Sequence, residues 1–206
     1  MIRKSFAIAV FAVTLTGACA PEIKTSVVSG EMAPAEARIE QIGDTWVYNN
    51  LISGAAETSR ITAIDGKLIS GVNETTGCSF TYVHAAYAPS VRWDNCNGSS
   101  GNQSAERNGS IFPIQLGNAE SWKFSGQNAK GETWESVRNC SVVETAKVTV
   151  PAGTFDTYHI KCEDEWWVRH YYYAPEVGSS AIRLDTHKTR NEVRHRELVS
   201  FTPGQA

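Results

Sequence analysis

The chain has 206 residues, 41% of them hydrophobic and 10% aromatic, with 19 Lys and Arg against 22 Asp and Glu. A formal net charge of −3 argues against a general nucleic-acid binder, which needs clustered cations to meet phosphates. Long stretches of Ala, Leu, Glu and Lys at helical spacing are missing, while Gly, Asn, Ser, Thr and aromatics abound, which points to antiparallel β structure.

Arg3 and Lys4 precede an apolar run over 6–15, too short for the roughly 20 apolar residues of a bilayer span. The small residues Thr16, Gly17 and Ala18 then lead to Cys19. This layout resembles a bacterial lipoprotein signal peptide, although Thr16 occupies the place where the pattern wants an aliphatic residue. The competing reading is ordinary cleavage at Ala18-Cys19-Ala20, which would leave Pro21 next to the cut. The resemblance implies a signal peptide over 1–18, acylation of Cys19 and anchoring to a membrane. Ala20 after the cysteine leans toward the outer membrane, with the protein facing the periplasm. Arg3 and Lys4 are the cations of the signal segment, so without it 17 Lys and Arg face 22 Asp and Glu.

Residues 19–42 read as a lipid-anchored tether, in which 34–40 could form one or two helical turns with Pro34 at the start. A single β domain is expected over 43–206. Its first strand, 45–51, places Trp46 and Tyr48 on one face. Segments 59–65 and 67–73 flank Asp65-Gly66, a strong hairpin signal. Strands over 79–86 and 90–95 flank a turn at Pro89. The polar run 96–108 reads as a long exposed loop. Pro113 makes 111–116 an edge strand or an extended loop. Segments 120–126 and 132–139 flank a turn from Asn128 to Gly131. Segments 141–150 and 154–162 flank Pro151-Ala152-Gly153, 166–173 and 180–185 flank a turn around Pro175, and 193–201 is the last strand. Successive hairpins usually build a meander. About ten such strands predict an all-β fold: a strongly curved antiparallel meander sheet or an incomplete barrel, with at most a short N-terminal helix.

With Cys19 acylated, Cys78, Cys96, Cys140 and Cys162 remain. An even number in an oxidising compartment suggests two disulfides, and three pairings are possible. If Val150 faces Thr154, Cys162 faces Val142, and a bulge would bring it level with Cys140. Cys78 and Cys96 bracket the neighbouring hairpin in the same way. The local pairs Cys78–Cys96 and Cys140–Cys162 are therefore expected. Without any C-x-x-C spacing, neither a metal site nor another cofactor is predicted.

The stretch Val148-Thr149-Val150-Pro151-Ala152-Gly153-Thr154-Phe155 is followed by a strand, a Trp/Tyr-rich strand and Tyr173-Ala174-Pro175-Glu176-Val177-Gly178. This succession resembles a signature of bacterial envelope lipoproteins of unknown function. The resemblance implies a curved antiparallel sheet, distantly similar to the half-barrels of lipoprotein carriers. Physically, Pro151 presets φ at a turn, Gly153 supplies a positive φ, and Phe155 starts the return strand into the core.

No nucleophile elbow, phosphate loop or H-E-x-x-H spacing is present, and no catalytic residue is assigned. Glu163-Asp164-Glu165 beside Trp166-Trp167 could suggest paired carboxylates with a sugar-stacking platform, but a solvated turn before a core strand explains it more simply. The densest aromatic run, 166–173, alternates two ways. Trp167, Arg169, Tyr171 and Tyr173 share one face, which is the candidate ligand or partner surface. The basic stretch containing Arg183, His187, Lys188, Arg190, Arg194, His195 and Arg196 could contact anionic envelope groups such as lipopolysaccharide phosphates, but a solvated strand face offset by Asp185 and Glu192 explains it more simply. The expected function is a non-enzymatic envelope lipoprotein that binds an apolar or amphipathic envelope ligand (a lipid or glycan) or a protein partner, and no nucleic acid. The alternatives are an envelope assembly accessory without a small ligand and, less favoured, a glycan-acting hydrolase.

Overall fold

A computed structural model describes residues 23–28 and 30–205; the expected signal segment 1–18 and Cys19 lie outside the described residues. Its elements are β1 (Thr25–Ser26), β2 (Thr45–Asn50), β3 (Ala56–Asp65), β4 (Leu68–Asn73), β5 (Cys78–Val83), β6 (Arg92–Cys96), β7 (Ser99–Gly109), β8 (Ala119–Asn128), β9 (Thr133–Val150), β10 (Gly153–Glu163), β11 (Trp167–Ala174), β12 (Ser179–His187) and β13 (Val193–Thr202). The meander runs from β2 to β13 with each strand beside its sequence neighbour, and β13 pairs back onto β2. The sheet is therefore a closed 12-strand barrel rather than an incomplete one. Closure leaves no long edge of unpaired backbone groups.

Two sequence features carry the closure. First, the expected strands 132–139 and 141–150 are one continuous strand, β9, of 18 residues. Its first half pairs with β8, from Thr133 opposite Gln127 to Ser141 opposite Ala119, while Lys147 and Val148 carry β1. Second, the polar run expected as an exposed loop is largely β7. Asn97 and Gly98 both take positive φ, at 53° and 71°, and join β6 to β7 as a two-residue hairpin in which Cys96 faces Ser99. The strand escapes a hydrophobicity reading because its ladder bonds to β6 and β8, not apolar burial, hold it in place.

The possible helix over 34–40 is absent; among the described residues there is no helix. Seven residues cannot offset helix nucleation alone, and tertiary partners claim this segment in extended form. Ala35 and Ile114 exchange backbone hydrogen bonds of 3.1 and 2.7 Å, and the Tyr158 hydroxyl donates to Ala33 O at 2.5 Å. Arg38 forms a two-pronged pair with buried Asp44, whose carboxylate also accepts the N–H groups of Gln41 and Gly204. The described part of the expected tether therefore lies packed along the barrel.

Val150 faces Gly153, so the β9–β10 turn is tighter by one residue than a Val150–Thr154 pairing. A bulge at Val143, where Glu144 faces His159 but Val142 faces Ile160, shifts the register once more and sets Cys140 opposite Cys162. These two cysteines are bonded across a Cα separation of 4.0 Å, and Cys78 and Cys96 across 4.5 Å. The core has two parts. Ala146, Val148, Val150, Phe155, Tyr172, Ile182 and Leu198 pack with Trp46, Ile61 and Ile69. Tyr158, Ile160, the Cys140–Cys162 bridge, Tyr171 and Tyr173 pack with Ile111 and Ile114 of the β7–β8 connection. Because side chains alternate along a strand, Tyr172 and its two tyrosine neighbours send core groups to opposite faces of β11.

Candidate functional site

A cavity of about 990 Å³ occupies the barrel, lined from every barrel strand except β10. Trp167, Arg169, Tyr171 and Tyr173, the face singled out in the sequence, all line it. Its volume lies at the upper end of the roughly 300–1,000 Å³ usual for small-molecule sites.

The cavity has two unlike walls. One is cationic and is built by register. Arg169 of β11 faces Asp185 of β12, which faces Arg194 of β13. One row along, Tyr171 faces Arg183, which faces Arg196. Two cations flank the Trp167 ring: the Arg194 guanidinium carbon lies 4.4 Å from its centroid and that of Arg169 lies 5.6 Å away. Carboxylates pair with the arginines of this wall. Arg183 grips Asp185 through Nε and Nη2, at 2.7–3.1 Å. Burial opposes ionisation of Asp185, but the charge and hydrogen bonds of Arg183 outweigh it and hold the carboxyl below the usual carboxylate range. Arg194 donates to Glu192 at 2.7 Å, and Arg196 lies 3.0 Å from Glu57.

The basic stretch is thus not a solvated strand face. Arg183, Arg194 and Arg196 line the cavity and His187 and His195 are buried, whereas Lys188 and Arg190, in the β12–β13 connection, are exposed, with Arg190 also in the cavity lining. The pairing with Asp185 and Glu192 is as expected, but closure of the barrel turned the face inward.

Asp164 also departs from its sequence reading as part of a solvated turn. It is buried; Oδ1 accepts the N–H groups of Trp166 and Trp167, and Oδ2 accepts Arg138 at 3.1 Å and Arg169 at 2.5 Å. Burial pushes this carboxyl up, but Arg169 and Arg138 together pull it below its ordinary value. Its oxygens are thus engaged in fixing the β10–β11 corner and two arginines. Glu163 instead pairs outward with Lys188 at 2.7 Å.

The second wall is aromatic: Phe80, Trp93, Phe124 and Trp134 on β5, β6, β8 and β9, with Trp166 beside Phe124. Two glycines make it possible. A Cβ at Gly101 would lie 2.5 Å from the ring of Trp93, and one at Gly126 would lie 2.8 Å from the ring of Trp134. The indoles thus lie down on β7 and β8 backbone and meet with centroids 5.7 Å apart. The Trp134 Nε1–H donates to Gln103 Oε1 at 2.9 Å, and the Gln103 amide donates to Ser90 O at 2.7 Å. Sequence reading did not assign this wall. The available signal was the pairing of Gly101 and Gly126 with tryptophans across neighbouring strands, which becomes visible only once β7 is recognised as a strand.

Segment 31–42 adds Arg38 and Glu40 to the lining. Glu40 accepts the Tyr82 hydroxyl and lies 2.7 Å from His84 Nδ1. Among the described residues no group of three or more His, Cys, Asp or Glu is placed to hold a metal ion.

No family model matches the chain, and no curated protein matches it. Two solved structures are similar over most of its length. One, from Bacteroides fragilis, is provisionally described as an exported protein with a YmcC-like fold; it is 11% identical, with 82% of this chain and 99% of that chain covered and a TM-score of 0.42. The other, provisionally described as a lipoprotein of Parabacteroides distasonis, is 11% identical, with 83% and 100% covered and a TM-score of 0.42.

Proposed function

We propose that this protein is a non-enzymatic, lipid-anchored envelope protein whose barrel binds an amphipathic ligand. The observation that carries the reading is the cavity of about 990 Å³ with an arginine-rich wall and a tryptophan-rich wall in one enclosure. An apolar body gains by leaving water against the indoles, while a polar end finds donors on the opposite side. The engagement of Asp164 and Asp185 by arginines favours binding over hydrolysis, which needs one carboxyl kept protonated. The Cys19 layout supports an anchor in the cell envelope, with the outer membrane facing the periplasm as the favoured site. A protein partner on the outer surface is compatible with the same anchor.

Native mass spectrometry of the protein taken gently from its own envelope tests this reading. A reproducible added mass of a lipid or glycan, lost on unfolding, is expected. A bare chain mass, together with no uptake from an extract of the same envelope, would overturn it.

A further inference from the structure

Resting on that binding reading, we infer that the ligand is an anionic amphiphile whose phosphate or carboxylate group docks between Arg183, Arg194 and Arg196 while its apolar body lies toward Trp93 and Trp134.

The inference comes from counting hydrogen-bond donors. A guanidinium has five N–H donors and cannot lose its charge. Arg183 uses Nε and Nη2 on Asp185, and Arg194 uses Nε and Nη2 on Glu192; among the described residues, Nη1 of each has no protein acceptor. Nε of Arg196 is buried and has no partner among the described residues. That atom is walled off from the cavity, whereas Nη1 of Arg183 and of Arg194, on residues that line the cavity, is not buried and stands free for an acceptor from outside the chain.

The register places these donors together, since Arg183 faces Arg196 and Asp185 faces Arg194 on the adjoining row. The carboxylates that balance them approach from β12 itself, from the β12–β13 connection and from β3, leaving the remaining donors for the cavity. Crowding also shows in the electrostatics. Burial, and then the neighbouring Arg183 charge, push the Arg196 guanidinium below its ordinary value against the pull of Glu57. An anion placed among the three would relieve that repulsion.

The cavity lining includes eight arginines but only two carboxylates, Glu40 and Asp164, although the chain as a whole is acidic. A cationic head would be repelled by these arginines, and a neutral head could accept their hydrogen bonds only without charge assistance. An anion without an apolar body would leave the tryptophan wall unused. The shared chemistry is an oxyanion on an apolar chain, from either a lipid headgroup or a fatty acid.

The test uses the full chain carrying Cys19→Ser, so that no acyl group competes, and follows tryptophan emission. Decyl phosphate, decyl maltoside, decyltrimethylammonium and inorganic phosphate are titrated below the micelle concentration. Decyl phosphate is expected to saturate, with the other three at least about tenfold weaker, and its affinity to fall with added salt. The double variant Arg194→Gln, Arg196→Gln keeps the Arg183–Asp185 pair. It is expected to weaken decyl phosphate about tenfold and leave decyl maltoside unchanged. Arg92→Gln, at an exposed β6 position outside the lining, controls for net charge. If the double variant fails to fold, Arg194→Gln alone carries the comparison, because its partner Glu192 is partly exposed.

Equal affinity for the maltoside would overturn the anionic head and leave the binding reading standing. Inorganic phosphate binding as tightly as decyl phosphate would overturn the amphiphile. Decyl phosphate selectivity unchanged in the variant would overturn the assignment to this wall. No saturation by any decyl compound would count against both the inference and the binding reading.

Discussion

The two halves of this barrel are built on different principles. In β9–β13, inward and outward positions alike are often buried: Tyr158, Ile160 and Cys162 of β10 are fully covered, as are Ala181 and Leu198. In β5, β6 and β7 no residue is buried. There the wall is one strand thick, and its tryptophan, Trp93, faces the cavity rather than a packed layer. The comparison teaches that closure alone does not fill a 12-strand barrel. One half supplies the packed core that makes the fold stable, and the other half can then stay thin enough to leave room inside.

The largest expected contrast concerns buried against exposed charge. Asp164→Asn removes the partner of Arg138 and Arg169, both nearly covered, and should cost about 3–5 kcal/mol. Glu74→Gln removes the partner of Arg60, an exposed pair at 2.5 Å outside β9–β13, and should cost less than about 1 kcal/mol. Urea unfolding of the two variants tests this; equal losses would dissolve the distinction between the halves.

The disulfides sharpen it next. The sequence separations are 18 and 22, so restriction of the unfolded chain predicts about 3 kcal/mol for either bridge. Cys140 and Cys162 lie within a packed cluster, and replacing both with Ala also removes buried volume there. Their removal should therefore cost more than that of Cys78 and Cys96, which are only partly covered. Timed alkylation under mild reductant should label Cys78 and Cys96 first. Simultaneous labelling would mean that the C-terminal half opens as readily as the thin wall.

A smaller effect is expected in the thin wall itself. Gly126→Ala places a methyl group 2.5 Å from Asn102 O and 2.8 Å from the Trp134 ring. Overpacking of this kind costs about 1–3 kcal/mol, and here it should displace the indole and change tryptophan emission. An unchanged spectrum with unchanged stability would show that Trp134 does not lie against β8.

How much of this was legible before folding differs between the halves in the same way. Most of the strands of β9–β13, both disulfides and the face Trp167, Arg169, Tyr171 and Tyr173 follow from alternation, turn residues and cysteine spacing, because apolar burial leaves a period in the sequence. β7 leaves none. Its inward positions include Gly101 and Gln103, chosen to accommodate Trp93 and to bond Trp134, so its signal was the Asn97-Gly98 turn rather than its strand. The inward turn of the basic stretch was hidden for another reason. Alternation says which arginines share a face, but only the pairing of β13 with β2 says that the face is inside.

The shallowest expected effect is on pH. His195 is buried, its Nε2 lacks a hydrogen-bond partner among the described residues, and Glu197 is 3.9 Å away. Burial pulls its pKa below 6.5 against the attraction of Glu197. Burial, then the neighbouring His159 and Lys161, pull His170 down in the same direction, with Asp185 and Glu144 opposing. Both folded values lie below the unfolded one, so on acidification the unfolded chain takes up protons first. This contribution is fully present above pH 6.5 and is lost as pH falls through that value toward the folded pKa values. Asp44, Asp164 and Asp185 are held below 3.8, so their contribution stays intact until the pH falls to about 4. Melting between about pH 7.5 and pH 5.5 therefore isolates the histidines. The melting temperature should fall modestly over this window in the parent, and less in His170→Gln, His195→Gln. Because both histidines belong to β11 and β13, such a loss would report the packed half opening to protons; a rise on acidification would mean that the folded state gains charge partners for them, contrary to the burial described above.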